Sequence, residues 1–203
     1  MKKTLLKMVM PLLALASSLV ASESAGERPV QSYNSRVSIH PTHYSYEYLA
    51  SDELYFAFDA HKACSYSQND LPVAHIIGDL RLGRNTQLGT DTAVRPFIGV
   101  TAIRSLSFLM DPTKMYGMVG FSVEQTFADL LTVGVTAKGL LGGIVGKNYS
   151  QERKLYYGVD VSVPLTVRFG RTSHWEMRLE PFVLALNDGE YYLGHRSGLA
   201  YRF

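Results

Sequence analysis

The chain has 203 residues, with 20 Lys and Arg against 18 Asp and Glu, which gives a formal net charge of +2. This length suits one domain, and the near balance of charge excludes the strongly basic field typical of nucleic-acid binding. Cys64 is the single cysteine, so an internal disulfide is excluded and an unreactive free thiol is expected.

Residues 1–21 have the pattern of a secretory signal peptide. Lys2, Lys3 and Lys7 precede an apolar segment, and cleavage is expected after Ala21. The apolar run is shorter than the ~20 residues that a spanning helix needs, and Pro11 interrupts it, which argues against a membrane anchor. Removing this segment leaves 17 basic and 18 acidic residues, so the mature chain is expected to be nearly neutral.

The segment 22–53 is predicted to be an N-terminal extension. It begins with polar residues, and later Tyr44, Tyr46 and Tyr48 alternate with polar residues in the manner of a strand. Two alternatives stay open for it. It could form a plug inside the fold, or it could supply an extra pair of strands that includes residues near 35–39.

From residue 54 onward, apolar and polar residues alternate with period two, which predicts strands with one apolar face. Eight strands are predicted, at 54–63, 75–83, 94–104, 117–125, 130–138, 155–169, 174–186 and 191–203. The apolar face of 155–169 is uninterrupted and exceeds the ~9–11 residues of a transmembrane strand. Pro181 removes one ladder hydrogen bond, so a bulge is expected there.

Charged residues lie on the opposite face of these strands, where a charge facing lipid would cost several kcal/mol. They are therefore expected to line an interior: Asp59, Asp79, Arg81, Arg95, Glu124, Lys138, Asp160, Arg168, Glu176, Arg178, Glu180, Arg196 and Arg202. An eight-stranded interior is just wide enough for side chains, and mixed charges buried there must pair. A filled lumen with a charge network is predicted, rather than a pore lined by one sign of charge.

The last strand ends at Phe203, with Tyr201 and Leu199 on its apolar face. A strand of this alternation with a terminal aromatic resembles the final strand of Gram-negative outer-membrane β-barrels. The chain as a whole resembles the OmpA/OmpX type, an all-β, antiparallel, up-and-down transmembrane barrel of eight strands, here over residues 54–203.

The resemblance implies a location in the outer membrane, in contact with lipid and lipopolysaccharide. It implies that Phe203, Tyr201 and Leu199 form the signal for the barrel-assembly machinery, after passage through periplasmic chaperones. Aromatic residues near the ends of the apolar faces are expected to form girdles at the two membrane interfaces: Tyr157, Phe169, Trp175 and Tyr191.

Motifs that carry chemistry are few. His195 and Ser197 lie on the outward face, and small lipid A deacylases of similar size and barrel type use a His-x-Ser arrangement. However, Gly198 replaces the Asn of that family, and no supporting acid is evident. The glycine-rich run 139–147 does not fit a phosphate-binding loop and is expected to be a flexible external loop.

The histidines near the N-terminal half, His40, His43, His61 and His75, have no tight ligand spacing. They are expected to be ordinary surface or strand-end residues, with no metal and no cofactor bound. The chain is therefore not expected to be an enzyme.

A structural or surface-interaction barrel is the first functional hypothesis, with its surface partner unknown. Three alternatives are a minor porin for small solutes, a lipid-modifying barrel enzyme, and a soluble secreted barrel. The soluble reading would reverse the faces, so that the apolar face points inward around a ligand and the charges are solvated.

Overall fold

The computed structural model describes residues 35–49, 54–66, 72–106, 113–145, 155–170 and 174–203. The predicted signal peptide, its cleavage site and residues 22–34 lie outside these ranges. No helix within them is long and apolar enough to cross a membrane.

The described residues form twelve β-strands in one antiparallel sheet. The strands are β1 (Ser35–His40), β2 (His43–Leu49), β3 (Leu54–Tyr66), β4 (Val73–Arg84), β5 (Thr86–Leu88), β6 (Thr92–Ser105), β7 (Thr113–Phe127), β8 (Leu131–Val145), β9 (Tyr156–Ser162), β10 (Leu165–Arg168), β11 (Trp175–Leu186) and β12 (Tyr191–Arg202). The prediction of an all-β, antiparallel, up-and-down fold is confirmed.

Two of the twelve strands continue the strand before them. β4 and β5 pair with β6 in the same register, and β9 and β10 pair with β8 and β11 in the same registers. The second interruption falls at Val163 and Pro164, because proline has no N–H to donate to the ladder. The twelve strands therefore follow ten paths.

Hydrogen bonds between neighbouring strands close these paths into a ring, because β12 pairs with both β11 and β1. Ser35 and Phe203 lie together at one end, joined by two backbone hydrogen bonds of 3.0 Å. We call this the terminal end, and the opposite end, where Tyr66 faces Tyr191, the loop end. The hairpin of β1 and β2 reaches only part of the way up the wall, so the ring has ten paths at the terminal end and eight at the loop end.

The prediction of eight strands is wrong, because β1 and β2 add a pair from within the segment 22–53. Val37 and Ile39 alternate with polar residues over only six positions in β1, which is too short a pattern to separate from a polar extension. The extra pair with residues near 35–39, one of the alternatives, is the arrangement found.

Two local predictions are also wrong. β11 pairs with β12 without a break across Pro181, and no bulge forms. The missing donor of Pro181 falls at the interruption between β9 and β10, where its carbonyl accepts a hydrogen bond from Val163 N–H at 3.0 Å. The glycine-rich run expected to be a loop continues β8 as far as Val145, paired with β7.

The two faces of the ring differ sharply in character. In β11, the side chains of Glu176, Arg178 and Glu180 are buried, whereas those of Trp175 and Met177 are exposed. The same division holds around the ring, with large apolar side chains on the outside. Inside, an apolar cluster extends from Tyr55 near the terminal end to Tyr192 near the loop end, and it contains Ile77, Ile103, Tyr116 and Leu184, among others. Charged groups fill much of the remaining interior.

Candidate functional site

The predicted lumenal charges all lie on the inner face of the ring. Most of them are buried: Asp59, Asp79, Asp160, Glu176, Arg178, Glu180 and Arg196, together with Lys138. Arg81, Arg95 and Arg168 are partly buried. The structure sorts these residues into a central cluster and a group at the terminal end. A separate group of charges, which was not predicted, lies toward the loop end.

Arg196 of β12 is the centre of the central cluster. Its guanidinium lies 2.7 Å from Glu180 Oε1, 3.2 Å from Asp160 Oδ2 and 3.6 Å from Asp59 Oδ1. The side chain is 3% exposed, and it lies over the ring of Phe182 at 4.5 Å. With Asp79 Oδ2 at 3.9 Å, this one buried cation contacts carboxylates from four other strands.

A second cation, Lys138 of β8, completes this cluster. Its Nζ contacts Asp79 and lies 2.8 Å from Asp160 Oδ2. Thr101 donates a hydrogen bond to Asp79 at 2.9 Å from the neighbouring strand β6. These contacts link β4, β6, β8 and β9 through the interior. The charged side chains therefore connect strands on different sides of the ring, and we call such contacts cross-ties.

Glu180 is held from two sides in addition to Arg196. Arg178 lies 2.6 Å from its Oε2, and Ser162 donates a hydrogen bond to its Oε1 at 2.6 Å. Paired buried charges of this kind are costly to separate, because removing one partner leaves an uncompensated charge.

Two histidines flank Asp59 in the interior. His43 Nε2 lies 2.9 Å from Asp59 Oδ2, and His61 Nδ1 lies 2.7 Å from Asp59 Oδ1. His43 and His61 are 0% and 2% exposed. The prediction of surface or strand-end histidines is therefore wrong for His61, whereas His43 is the first residue of β2 but is buried. The alternation along β3 places His61 on the same inner face as Asp59. No group of three or more His, Cys, Asp or Glu in the described ranges is arranged to hold a metal ion.

A second group of ion pairs lies at the terminal end, and the hairpin contributes to it. Arg36 of β1 contacts Glu47 of β2 at 2.7 Å and Glu176 of β11 at 3.2 Å. Glu47 also lies 3.2 Å from Arg95 of β6. Arg36 and Glu47 were not predicted as interior charges, because they lie within the segment 22–53 that was predicted to be an N-terminal extension.

Two further ion pairs at this end join residues of the predicted strands. Arg95 lies 3.7 Å from Glu124, and Arg202 lies 3.0 Å from Glu176. Arg81 lies over the ring of Phe97 at 5.7 Å. In the described part of the chain, Arg168 makes no ion pair, although it faces Glu176 in the β10–β11 ladder.

A third group of ion pairs lies toward the loop end. Lys114 lies 2.7 Å from Glu190 Oε2 and 3.4 Å from Asp188 Oδ2, and Tyr192 donates a hydrogen bond to Glu190 at 2.6 Å. Burial alone would raise the pKa of Glu190, but the hydrogen bonds from Lys114 and Tyr192 outweigh it and hold that pKa below its ordinary value. Glu190 is therefore ionised near neutral pH.

The four aromatic residues predicted to form girdles lie near the two ends of the ring. Phe169 and Trp175 are exposed at the terminal end, and Trp175 contacts Tyr201 edge-on at 4.8 Å. Tyr157 is exposed near the loop end, where Tyr191 stacks on Tyr66 at 5.5 Å.

The terminal strand presents its last three odd-numbered residues outward: Leu199, Tyr201 and Phe203. Tyr201 and Phe203 are stacked with their rings 6.0 Å apart. The structure thus places the residues of the expected assembly signal on one outer, apolar face.

The outer face also carries His195 and Ser197 on β12, with His195 exposed and Ser197 partly buried. In the described residues, no hydrogen bond joins the two side chains and no carboxylate orients the imidazole. A base must reach the hydroxyl that it activates, so this arrangement gives no support to a hydrolase.

An open groove of about 880 Å³ crosses the outer face of β4 to β9. Its lining is mostly apolar and includes Leu80, Val100, Val119 and Leu141. The groove thus has the apolar character of the surrounding wall.

Comparison of the sequence with known family models and with curated proteins found no match. Membership of the OmpA/OmpX type therefore stays a prediction from the pattern of the sequence.

Proposed function

We propose that this protein is an outer-membrane β-barrel whose interior is closed by paired side chains, with a structural or surface-interaction role. The observation that carries the proposal is the inversion of the two faces. Large apolar side chains such as Ile98 and Val119 are about 60% exposed on the outside, whereas Asp160 and Glu176 are almost fully buried inside.

The inversion favours lipid as the surrounding solvent. In aqueous solution a ring with this outer face would expose its apolar side chains to water. In a bilayer the same side chains would contact lipid, and the backbone would keep its hydrogen bonds between strands. The hypothesis of a soluble secreted barrel requires these charges to be solvated, and the buried ion pairs of Arg196 and Lys138 argue against it.

The pairing of the interior charges favours a closed barrel over the porin alternative. Arg196 and Lys138 contact carboxylates on several strands, and bulky residues such as Tyr116 and Tyr192 pack between them and the loop end. A water-filled path would have to pass both layers.

The predicted signal peptide and the terminal Phe203 support the outer membrane as the destination. Lipopolysaccharide and lipid would then surround the apolar face, and chaperones and the assembly machinery would handle the unfolded chain. The structural or surface-interaction role is proposed because the buried charges of the described residues form ion pairs that join strands of the ring.

Conductance in a planar lipid bilayer tests the closed interior. The purified protein is expected to insert without stepwise ion currents, and the variant Arg196→Ala is expected to raise the frequency of openings because it removes the central cross-tie. A stable ohmic conductance from the unmodified protein would contradict the closed interior and favour the porin.

A further inference from the structure

The β1–β2 hairpin is a wedge between two strands that already pair with each other. Toward the loop end, β12 pairs directly with β3, from Tyr191 opposite Tyr66 to Leu193 opposite Cys64. Toward the terminal end, the hairpin separates them, and β12 pairs instead with β1 over Leu199–Arg202. In the described residues, the stretch Gly194–Gly198 lies between these two ladders, so this side of the wall is a fork.

The β12–β3 register can be continued past the fork without changing which face any side chain occupies. Its outer pairs would be His195 with Lys62, Ser197 with Ala60, Leu199 with Phe58, and Tyr201 with Phe56. All of these side chains already point outward, because a ladder that continues in one register preserves the alternation of faces.

The inner pairs of the continued register are also compatible. They would be Arg196 with His61, Gly198 with Asp59, Ala200 with Ala57, and Arg202 with Tyr55. In this register no Lys or Arg lies opposite another and no Asp or Glu lies opposite another, and small residues face either small or charged ones. Arg196 already lies 3.6 Å from Asp59 across the fork.

The ring does not depend on the hairpin for the pairing of its charges. Among the described residues, three charged side chains of the ring form ion pairs with the hairpin, and each has a second partner on the ring: Asp59 contacts His43 but also His61 and Arg196, Glu176 contacts Arg36 but also Arg202, and Arg95 contacts Glu47 but also Glu124. The hairpin pairs its own charges, Arg36 with Glu47, at 2.7 Å. Either part can separate without leaving a bare charge.

We propose that the hairpin is a displaceable segment of the wall and that the ring has two closures. In the closure described above, the hairpin widens the terminal end to ten paths. In the other, β12 zips onto β3 along its whole length and the ring has eight paths throughout, which narrows the terminal mouth. The second closure exchanges two ladders for one, so it is the minor state, with an occupancy of roughly 0.1–10%.

Cysteine crosslinking in the full chain, with Cys64→Ser to remove the native thiol, tests this proposal. The pair Phe58→Cys and Leu199→Cys reports the minor closure, because the hairpin now holds these positions about 14 Å apart, beyond the ~7 Å that a disulfide can bridge. The pair Ile39→Cys and Leu199→Cys reports the major closure, where these residues face each other. The pair Leu54→Cys and Leu199→Cys is the out-of-register control.

Oxidation of the folded, detergent-purified protein is expected to link positions 39 and 199 rapidly. Positions 58 and 199 are expected to link slowly, reaching at least about tenfold the level of the control pair, because the bond collects a minor state as it forms. A 58–199 bond that stays at the control level, or that appears only in chains sensitive to protease, would overturn the proposal. This readout does not require a membrane, so its failure is separate from failure of the proposed function.

Discussion

At the scale of single residues, buried charge is the main determinant of the interior. Arg196 contacts Asp59, Asp160 and Glu180, and each of these carboxylates has at least one other partner. A network of this kind is stable only as a whole, because each member offsets the desolvation of the others.

Replacing Arg196 with Met is expected to lower the free energy of unfolding by about 3–5 kcal/mol, because the buried carboxylates around it lose their shared cation. Denaturant unfolding of the refolded protein in detergent measures the change. The matched control is Lys62→Met, which removes an exposed cation from the same ring and should not lower stability. An Arg196→Met variant as stable as the unmodified protein would contradict the network.

A charged side chain introduced on the outer face tests whether that face contacts lipid or water. Val119 is 63% exposed near the middle of β7, and Val119→Arg is expected to cost about 2–4 kcal/mol in a bilayer. The control Leu130→Arg, in the turn at the terminal end, should cost about 0–1 kcal/mol. Unfolding from lipid vesicles compares the two. If both variants stayed within ~0.5 kcal/mol, as surface substitutions in water do, the outer face would not be a lipid face.

At the scale of elements, the alternation of apolar and polar residues located the paths of β3 to β12, because each has one long apolar face. The alternation predicted β7 and β8 to be shorter than they are. In β8, Gly142 and Gly143 interrupt the apolar pattern, although the backbone continues to pair with β7. Pro181 was wrongly predicted to cause a bulge in its own strand. It lies instead opposite the interruption between β9 and β10, where its missing N–H leaves no ladder hydrogen bond unmade.

The terminal strand carries a prediction about assembly. Phe203→Ala removes the outward ring but keeps the backbone hydrogen bonds to Ser35. We expect less protein in the outer membrane of expressing cells, with unchanged refolding of the purified chain in detergent. Quantitative blotting of membrane fractions measures the first and protease resistance the second. Unaltered amounts in the membrane would show that the terminal aromatic is not needed as a signal.

At the scale of the whole molecule, the sequence predicts which residues face inward but not which of them meet. The partners of Arg196 depend on the registers of several strands, and those registers are set by closure of the ring. Arg36, His43 and Glu47 were not predicted as interior residues for a related reason. Their short hairpin is recognisable as part of the sheet only from its pairing with β12 and β3.

The central claim is that the ring is a membrane barrel, and gel mobility of the protein from the outer-membrane fraction, boiled against unboiled in detergent, tests it most directly. A closed ring with a paired backbone and cross-tied interior is expected to resist the detergent, so the unboiled protein should be in that fraction and migrate faster than the boiled protein. Absence from the membrane together with identical mobility would contradict the claim and point to a soluble β protein.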